Sequence, residues 1–268
     1  MRISVIMGIY NCAETLGEAI DSIINQTYTD WELIMCDDAS LDDTYKVALA
    51  YKDKYPSKIK LIQNKENKGL NYTLNRCLEC AEGELIARMD GDDICDPTRF
   101  AKQVEFLDSQ PDMAIVSTDM KFFDESGVWG ETNAIICPAS KDFIRETQFC
   151  HAAAMVRKEA YDAVGGYSVS KKLLRVEDYH LWIKMYAKGF RGMNIKEPLY
   201  SMRDDRNAVR RRKFKFRVNE MRVKWFALKE LRLPKKYCVY CVKPLVLGLM
   251  PQFVYTLAHK SKYLTGQK

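Results

Sequence analysis

The first half of the chain alternates between two hydrophobic periods, and that alternation constrains the fold more than any other feature. Arg2 to Ile9 is an apolar run of strand length, and Glu14 to Gln26 then repeats Leu16, Ile20, Ile23 and Ile24 at helical spacing. Trp31 to Cys36 predicts a second strand, with Ser40 and Asp42 as capping residues for a helix through Tyr51. Lys58 to Gln63 predicts a third strand, Gly69 to Ala81 a third helix, and the run from Glu84 to Met89 a fourth strand. Strands joined by helices of this length imply crossover connections and a mainly parallel sheet covered on both faces.

Ligands of such sheets gather beyond the carboxyl ends of the strands. Three of the four predicted strands end there in polar groups: Tyr10 and Asn11, Asp37 and Asp38, and the cluster Asp90-Gly91-Asp92-Asp93. Carboxylates this close repel one another unless a cation is present, so the cluster points to a divalent metal on a polyphosphate. Hard oxygen ligands favour Mg or Mn. An acidic loop capping the next helix accounts for Asp96 but poorly for three acids in four positions. Gly91 is expected to let the backbone approach a ligand closely. Asp38 could accept a hydrogen bond from a nucleobase N–H or simply cap the turn that follows it.

Beyond Pro97 a helix is expected to turn Phe100, Val104 and Leu107 inward, and Met113 to Phe123 reads as another strand. The middle third gives only short signals, around Asp142 to Phe149, Ala152 to Arg157 and Lys158 to Val164, before the turn at Gly165-Gly166-Tyr167. A helix opening on Glu177 and Asp178 carries Leu181, Trp182 and Met185 on one face. Its two acids either complement the helix dipole or do chemistry. A long basic helix is expected from Ala208 to Leu231, followed by an apolar stretch interrupted by Lys243, Pro244 and Pro251.

The formal net charge of +6 hides an asymmetry: sixteen Lys and Arg against two Glu follow Ala208, whereas the first 208 residues are net acidic. With 47% hydrophobic and 29% charged residues the chain has the composition of a folded globular protein rather than a disordered one. Nine cysteines, and an opening run too short for a secretory signal, lead to the expectation of a reduced, cytoplasmic protein. Cys77 with Cys80 and Cys238 with Cys241 form Cys-x-x-Cys pairs, but each falls in a helical pattern without nearby His, so packed thiols are expected rather than zinc. No run of eighteen apolar residues occurs.

In order along the chain stand Ser4-Val5-Ile6-Met7-Gly8-Ile9-Tyr10-Asn11, Asp37-Asp38-Ala39-Ser40-Leu41-Asp42-Asp43-Thr44, Asn67-Lys68-Gly69-Leu70, Met89-Asp90-Gly91-Asp92-Asp93 and Glu177-Asp178. This ordered set resembles family 2 glycosyltransferases of the GT-A fold, of the non-processive bacterial type that builds capsule, O-antigen and other cell-surface polysaccharides. The likeness runs to about Arg203.

The resemblance implies an α/β fold with a Rossmann-like sheet in residues 1–207. Residues 1–95 would be the nucleotide-sugar half and 96–207 the acceptor half, and residues 208–268 would follow as a basic helical extension. It implies a nucleotide-diphospho-sugar donor, with a UDP-sugar expected, and Mn or Mg as cofactor. Asp38 would read the base, with Tyr10, the Gly8 backbone, Asn67 and Gly69 near the nucleotide. Asp90 would approach the ribose and the metal, Asp92 would hold the metal, His151 would lie near the acceptor or the diphosphate, and Arg203 would meet the diphosphate. The reaction would invert the anomeric centre, with Asp178, or less favourably Glu177, deprotonating the acceptor hydroxyl.

Two departures from the family pattern matter. No Trp follows Arg, so the Gln-x-x-Arg-Trp motif of processive synthases is missing, and Gly8 stands where a Thr or Ser is usual. Single-sugar transfer to a glycan or lipid-linked acceptor is therefore expected. The basic, aromatic tail fits an anionic membrane surface at the inner face of the cytoplasmic membrane. Nucleic-acid binding explains the tail but not the acidic strand ends of the body. A sugar nucleotidyltransferase is the competing enzyme class, but Gly8-Ile9-Tyr10-Asn11 offers no Gly-rich phosphate loop.

Overall fold

A computed structural model describes residues 1–204 and 214–249. Its first half follows the expected alternation: β1 (Ile3–Ile9), α1 (Ala13–Ile24), β2 (Trp31–Asp37), α2 (Thr44–Lys54), β3 (Ile59–Gln63), α3 (Leu70–Glu79) and β4 (Leu85–Arg88). β1 pairs in parallel with β2 on one side and β4 on the other, and β3 pairs in parallel with β2. Chain order therefore reverses direction between β1 and β4, the kind of switch point at which a crevice opens beyond the strand ends.

Past β4 the sheet becomes mixed. β5 (Ile94–Cys95) and α4 (Arg99–Ser109) lead to β6 (Ile115–Asp124), from which a tight turn sends β7 (Gly127–Glu131) back antiparallel. A return of two residues leaves no room for a crossover helix, so this pair cannot be parallel. β8 (Met155–Arg157) fits antiparallel between β4 and β6, and β9 (Gly192–Arg203) runs parallel to β6 and antiparallel to β5. The order across the sheet is β3-β2-β1-β4-β8-β6-β9-β5, with β7 beside β6.

Strand side chains alternate between two cores, as a pleat of period two requires. Ile6, Ile34 and Ile86 face one core, shared with Leu74 of α3 and with Leu181 and Trp182 of α6 (Glu177–Ala187). Val5, Met7, Leu33 and Met35 face the other, shared with Leu16, Ile20 and Ile23 of α1 and Phe100 and Leu107 of α4. Each such apolar side chain, fully removed from water, stabilises by about 1.5–3 kcal/mol.

The poorly patterned middle third is held by long-range polar ties. A 3-10 turn spans Ser140–Ile144, and α5 (Lys158–Val164) ends on Gly165 at φ +68°. The Asn194 amide donates to Ile135 O and Gln148 O, and Tyr186 Oη donates to Pro138 O.

The expected long basic helix is described as α7 (Phe214–Glu230), followed by α8 (Cys238–Leu249). The Arg210 to Lys213 cluster lies outside the described residues. Val223, Ala227 and Cys241 join the core that contains Trp182, so these helices share the packing of the preceding domain. Lys224 is 1% exposed and donates to Ile144 O. Arg217 is also buried, paired with Glu220. Part of the tail's basicity therefore serves packing rather than facing solvent. Among the described residues no helix is long and apolar enough to cross a membrane.

Candidate active site

The ends of β1 and β2 are clasped by the polar residues that follow them. Asn11, at φ +49°, donates its N–H to Ser40 Oγ and accepts from Leu41 N through its side chain. Asp42 and Thr44 accept from Ala13 N and Cys12 N, satisfying backbone donors at the start of α1. Asp42 also accepts from Thr44 N. Asp42 therefore serves the start of the helix that follows it as well as the start of α1.

Asp38 is buried and highly engaged. Its Oδ1 accepts from Asn64 Nδ2 (2.7 Å) and Lys68 N (2.8 Å), and its Oδ2 from Gly69 N (2.8 Å). A carboxylate at the end of β2 thus fixes the loop that starts α3, where Gly69 takes φ +85°. That conformation, rather than crowding, calls for glycine, because no atom lies within 4 Å of a Cβ placed there. Asn67 is exposed in the same loop.

A cleft of about 470 Å³ opens beyond β1 and β4, lined by Gly8, Tyr10, Asn11 and Asp42 on one side and by Asp90, Asp92 and Arg203 on the other. Gly8 is tight, since a Cβ there would stand 3.1 Å from Leu70 and 3.2 Å from Thr73. Gly91 also lines the cleft, and a Cβ on it would meet Cys12 Sγ at 2.9 Å and Ile9 at 3.3 Å, so its small size seats the acidic loop against β1.

Within the acidic loop each carboxylate has its own partners. Arg88, 4% exposed, grips Asp90 with two bonds of 3.0 and 2.5 Å. Asp93 is buried and accepts from Tyr200 Oη and Arg203 N, both at 2.8 Å. Asp92 is exposed, and its backbone carbonyl accepts from Arg203 Nε at 3.0 Å. Arg203 is further held by Glu18 at 2.5 Å and by the Phe123 ring at 4.6 Å. The β5–β9 pairing, which sets Cys95 opposite Tyr200, brings these residues to the loop.

Oxygens of Asp90, Asp92 and Asp93 lie within 4.8 Å of one another. Burial and the charges of Asp90 and Asp92 push the Asp93 carboxyl up to about 8. Desolvation and Asp90 likewise raise Asp92. A hard, oxygen-rich donor set with this much mutual repulsion suits Mn or Mg.

The residues expected on the acceptor side form a second group outside the cleft lining. Asp178 opens α6, with Thr147 Oγ1 3.4 Å from its carboxylate. Burial and the neighbouring Glu177 raise its pKa to about 6, and the positive charge of Arg88 acts in the opposite direction. Glu177 keeps one buried carboxylate oxygen without a partner. His151 Nε2 is 2.7 Å from Tyr167 Oη, and burial, followed by the charge of Arg88, lowers its pKa well below the ordinary value. Arg88 thus bears on both groups.

Arg88, Glu18 and Tyr200 escaped the reading of the sequence. The available signal for Arg88 was a lone cation interrupting the apolar β4. The tyrosine, and the glutamate on α1, carry none that is local. The nine cysteines are free thiols, and Cys36 and Cys77 are buried beside one another.

The chain is 43% identical over 267 residues to EpsE of Bacillus subtilis (strain 168), covering 100% of this chain and 96% of that one. It is 28% identical over 245 residues to WfaP of Escherichia coli, a UDP-Glc:alpha-D-GlcNAc-diphosphoundecaprenol beta-1,3-glucosyltransferase, covering 90% of each. Among solved structures it is similar to a mannosyltransferase of Pyrobaculum calidifontis in complex with GDP-Man and Mn2+. The TM-score there is 0.65 at 19% identity, over 97% of this chain and 79% of the other. The profile of glycosyl transferase family 2 matches residues 4–165, and the chain belongs to that family.

Proposed function

We propose that the protein transfers a single sugar, with inversion, from a nucleotide-diphospho-sugar to a hydroxyl of a lipid-linked glycan at the inner face of the membrane. The observation that carries this reading is the cluster of three carboxylates beside a cleft beyond β1 and β4, two of which, Asp90 and Asp92, line it. The relative that uses UDP-Glc and the fold neighbour that holds GDP-Man with Mn2+ support a nucleotide-sugar donor. The diphosphoundecaprenol acceptor in the name of that same relative supports a lipid-borne acceptor.

Asp92, and Asp90 beside it, would hold Mn or Mg, with Asp93 supporting the loop from below. The ion would supply positive charge to the diphosphate as it departs. Tyr10 and the Gly8 backbone line the nucleotide side of the cleft. Asp38 would act on the base side by shaping the loop that carries Asn67, through its bonds from Lys68 N and Gly69 N. Arg203, pinned by Glu18 and Phe123, borders the diphosphate.

Asp178 is the base that takes the acceptor proton. A carboxyl titrating near 6 is ionised at neutral pH and is a stronger proton acceptor than an ordinary Asp. Glu177, next to it, keeps that pKa high, and His151 lies on the same side as an uncharged hydrogen-bonding group. Calorimetric titration with UDP, with and without Mn, tests the donor site. Turnover on a panel of UDP-sugars with a bacterial lipid extract as acceptor tests the reaction. UDP binding that ignores both Mn and Asp92→Ala would overturn the site assignment.

A further inference from the structure

α8 wears its apolar side outward. Cys241 and Pro244 point into the protein, whereas Val239, Val242, Val246 and Leu249 are 64, 47, 57 and 77% exposed. At about 100° per residue these four fall within an arc of roughly 80°. A helix on a globular surface ordinarily shows the reverse arrangement.

The charges around this stripe indicate what covers it. Lys235 and Lys236 are exposed just before the helix, and Lys243 is exposed on it. From Leu231 to Lys268 the sequence holds seven Lys and Arg and no Asp or Glu. A second copy docking through the same face would bring like charges together, because a two-fold interface sets a surface against itself. An anionic lipid surface meets both the apolar stripe and the lysines.

The helix is also placed to serve the reaction. α8 packs on α7, and α7 is fastened to the acceptor half. The Phe226 ring stacks on His180 of α6 at 4.4 Å, Asn219 Nδ2 donates to Leu174 O, and Lys224 Nζ donates to Ile144 O. α6 is the helix that opens on Asp178.

We propose that the outer face of α8 is a membrane-docking surface: Val239, Val242, Val246 and Leu249 enter the headgroup boundary of an anionic bilayer, and Lys235, Lys236 and Lys243 meet its phosphates. Docking here holds the acceptor half at the surface where a lipid-borne glycan is presented. The inference rests on the lipid-linked acceptor proposed above and gives that reading a physical contact.

Flotation of the full-length protein with phosphatidylcholine vesicles, with and without phosphatidylglycerol, tests it. Wild type is expected to float only with the anionic vesicles and to be released by salt. Val242→Glu and Val246→Glu are each expected to weaken partition by roughly tenfold, from the loss of one buried valine. Val128→Glu, at an exposed valine of β7, should float as wild type does. UDP and Mn binding, measured on the same samples, reports the donor site separately: variants that keep it while losing flotation support docking and leave the catalytic reading intact. Unaltered flotation of the α8 variants, or none by wild type, overturns the proposal. So does a wild-type dimer in sedimentation that Val246→Glu dissolves.

Discussion

Replacing Asp178 by Asn should make the enzyme more stable and nearly inactive, and both effects come from one side chain. The folded protein raises this carboxyl from 3.8 to about 6, through burial first and Glu177 second. Because the folded pKa lies above the unfolded one, the fold favours the protonated acid. Ionisation therefore begins to cost stability above the unfolded pKa, and the full cost is present above about pH 6. A shift of about two units corresponds to about 3 kcal/mol at pH 8, an upper figure for a group that solvent reaches in part. The substituted amide is neutral at every pH and carries no such cost. For a domain of this size the gain corresponds to a rise in Tm on the order of 5 °C at pH 8, fading to nothing as the pH falls below about 4.

Loss of the base should lower turnover by roughly 10²- to 10⁴-fold. In the wild type, the rate should fall about tenfold per pH unit below 6, since only roughly a tenth of the molecules are ionised at pH 5. Differential scanning fluorimetry at pH 8 and pH 4, with UDP release as the turnover readout, measures both. Retained turnover would remove Asp178 as the base. A variant that melts lower than wild type at pH 8 would show that the carboxylate is stabilised by its site, contrary to the reasoning.

The three acids of the loop should behave differently from one another. Asp92→Ala should lose Mn-dependent UDP binding in calorimetry and melt no lower than wild type, because it removes repulsion from an exposed position. Asp90→Ala strips the buried Arg88 of its counter-charge and should cost about 3–5 kcal/mol in urea unfolding. Equal stability of the two variants would contradict the described pairing. Asp38→Ala deprives Lys68 N, Gly69 N and Asn64 of an acceptor and should cost on the order of 3 kcal/mol. If Asp38 served only a base, its removal would lower nucleotide affinity and leave the urea midpoint unchanged.

The parallel half of the fold was legible because its signals are local. Period-two strands such as Ile3–Ile9 and period-3.6 helices such as Ala13–Ile24 write their buried faces into consecutive residues. The acidic strand ends could be read for the same reason. What could not be read depends on contacts between distant residues. Tyr200 and Arg203 reach the acidic loop only because β9 returns beside β5, more than a hundred positions later. The stretch before β8 is ordered by Asn194 and Tyr186, so its own residues carry little pattern. Lys224 has the sequence appearance of a surface cation and is buried where the carbonyls of Ile144 and Arg145 and the Glu220 carboxylate receive it.

The partners of the three carboxylates also explain why a cluster of like charges can specify a division of labour. Arg88 already compensates Asp90, and its backbone carbonyl is itself held by Arg99 at 2.9 Å, so this pair is built into the floor of the site. Asp93 faces Tyr200 and a backbone N–H, both of which strengthen its hold on β9 without adding a positive charge. Asp92 receives only its own backbone N–H and stands toward the cleft. On the proposed reading a cation arriving from solvent meets one carboxylate that Arg88 and Arg203 offset only at a distance, with a second already paired and a third oriented behind it. Asp92 is, on that reading, the entry point for charge, and the cost of holding the loop ready is spread over Arg88, Tyr200 and Arg203 rather than borne by Asp92 alone.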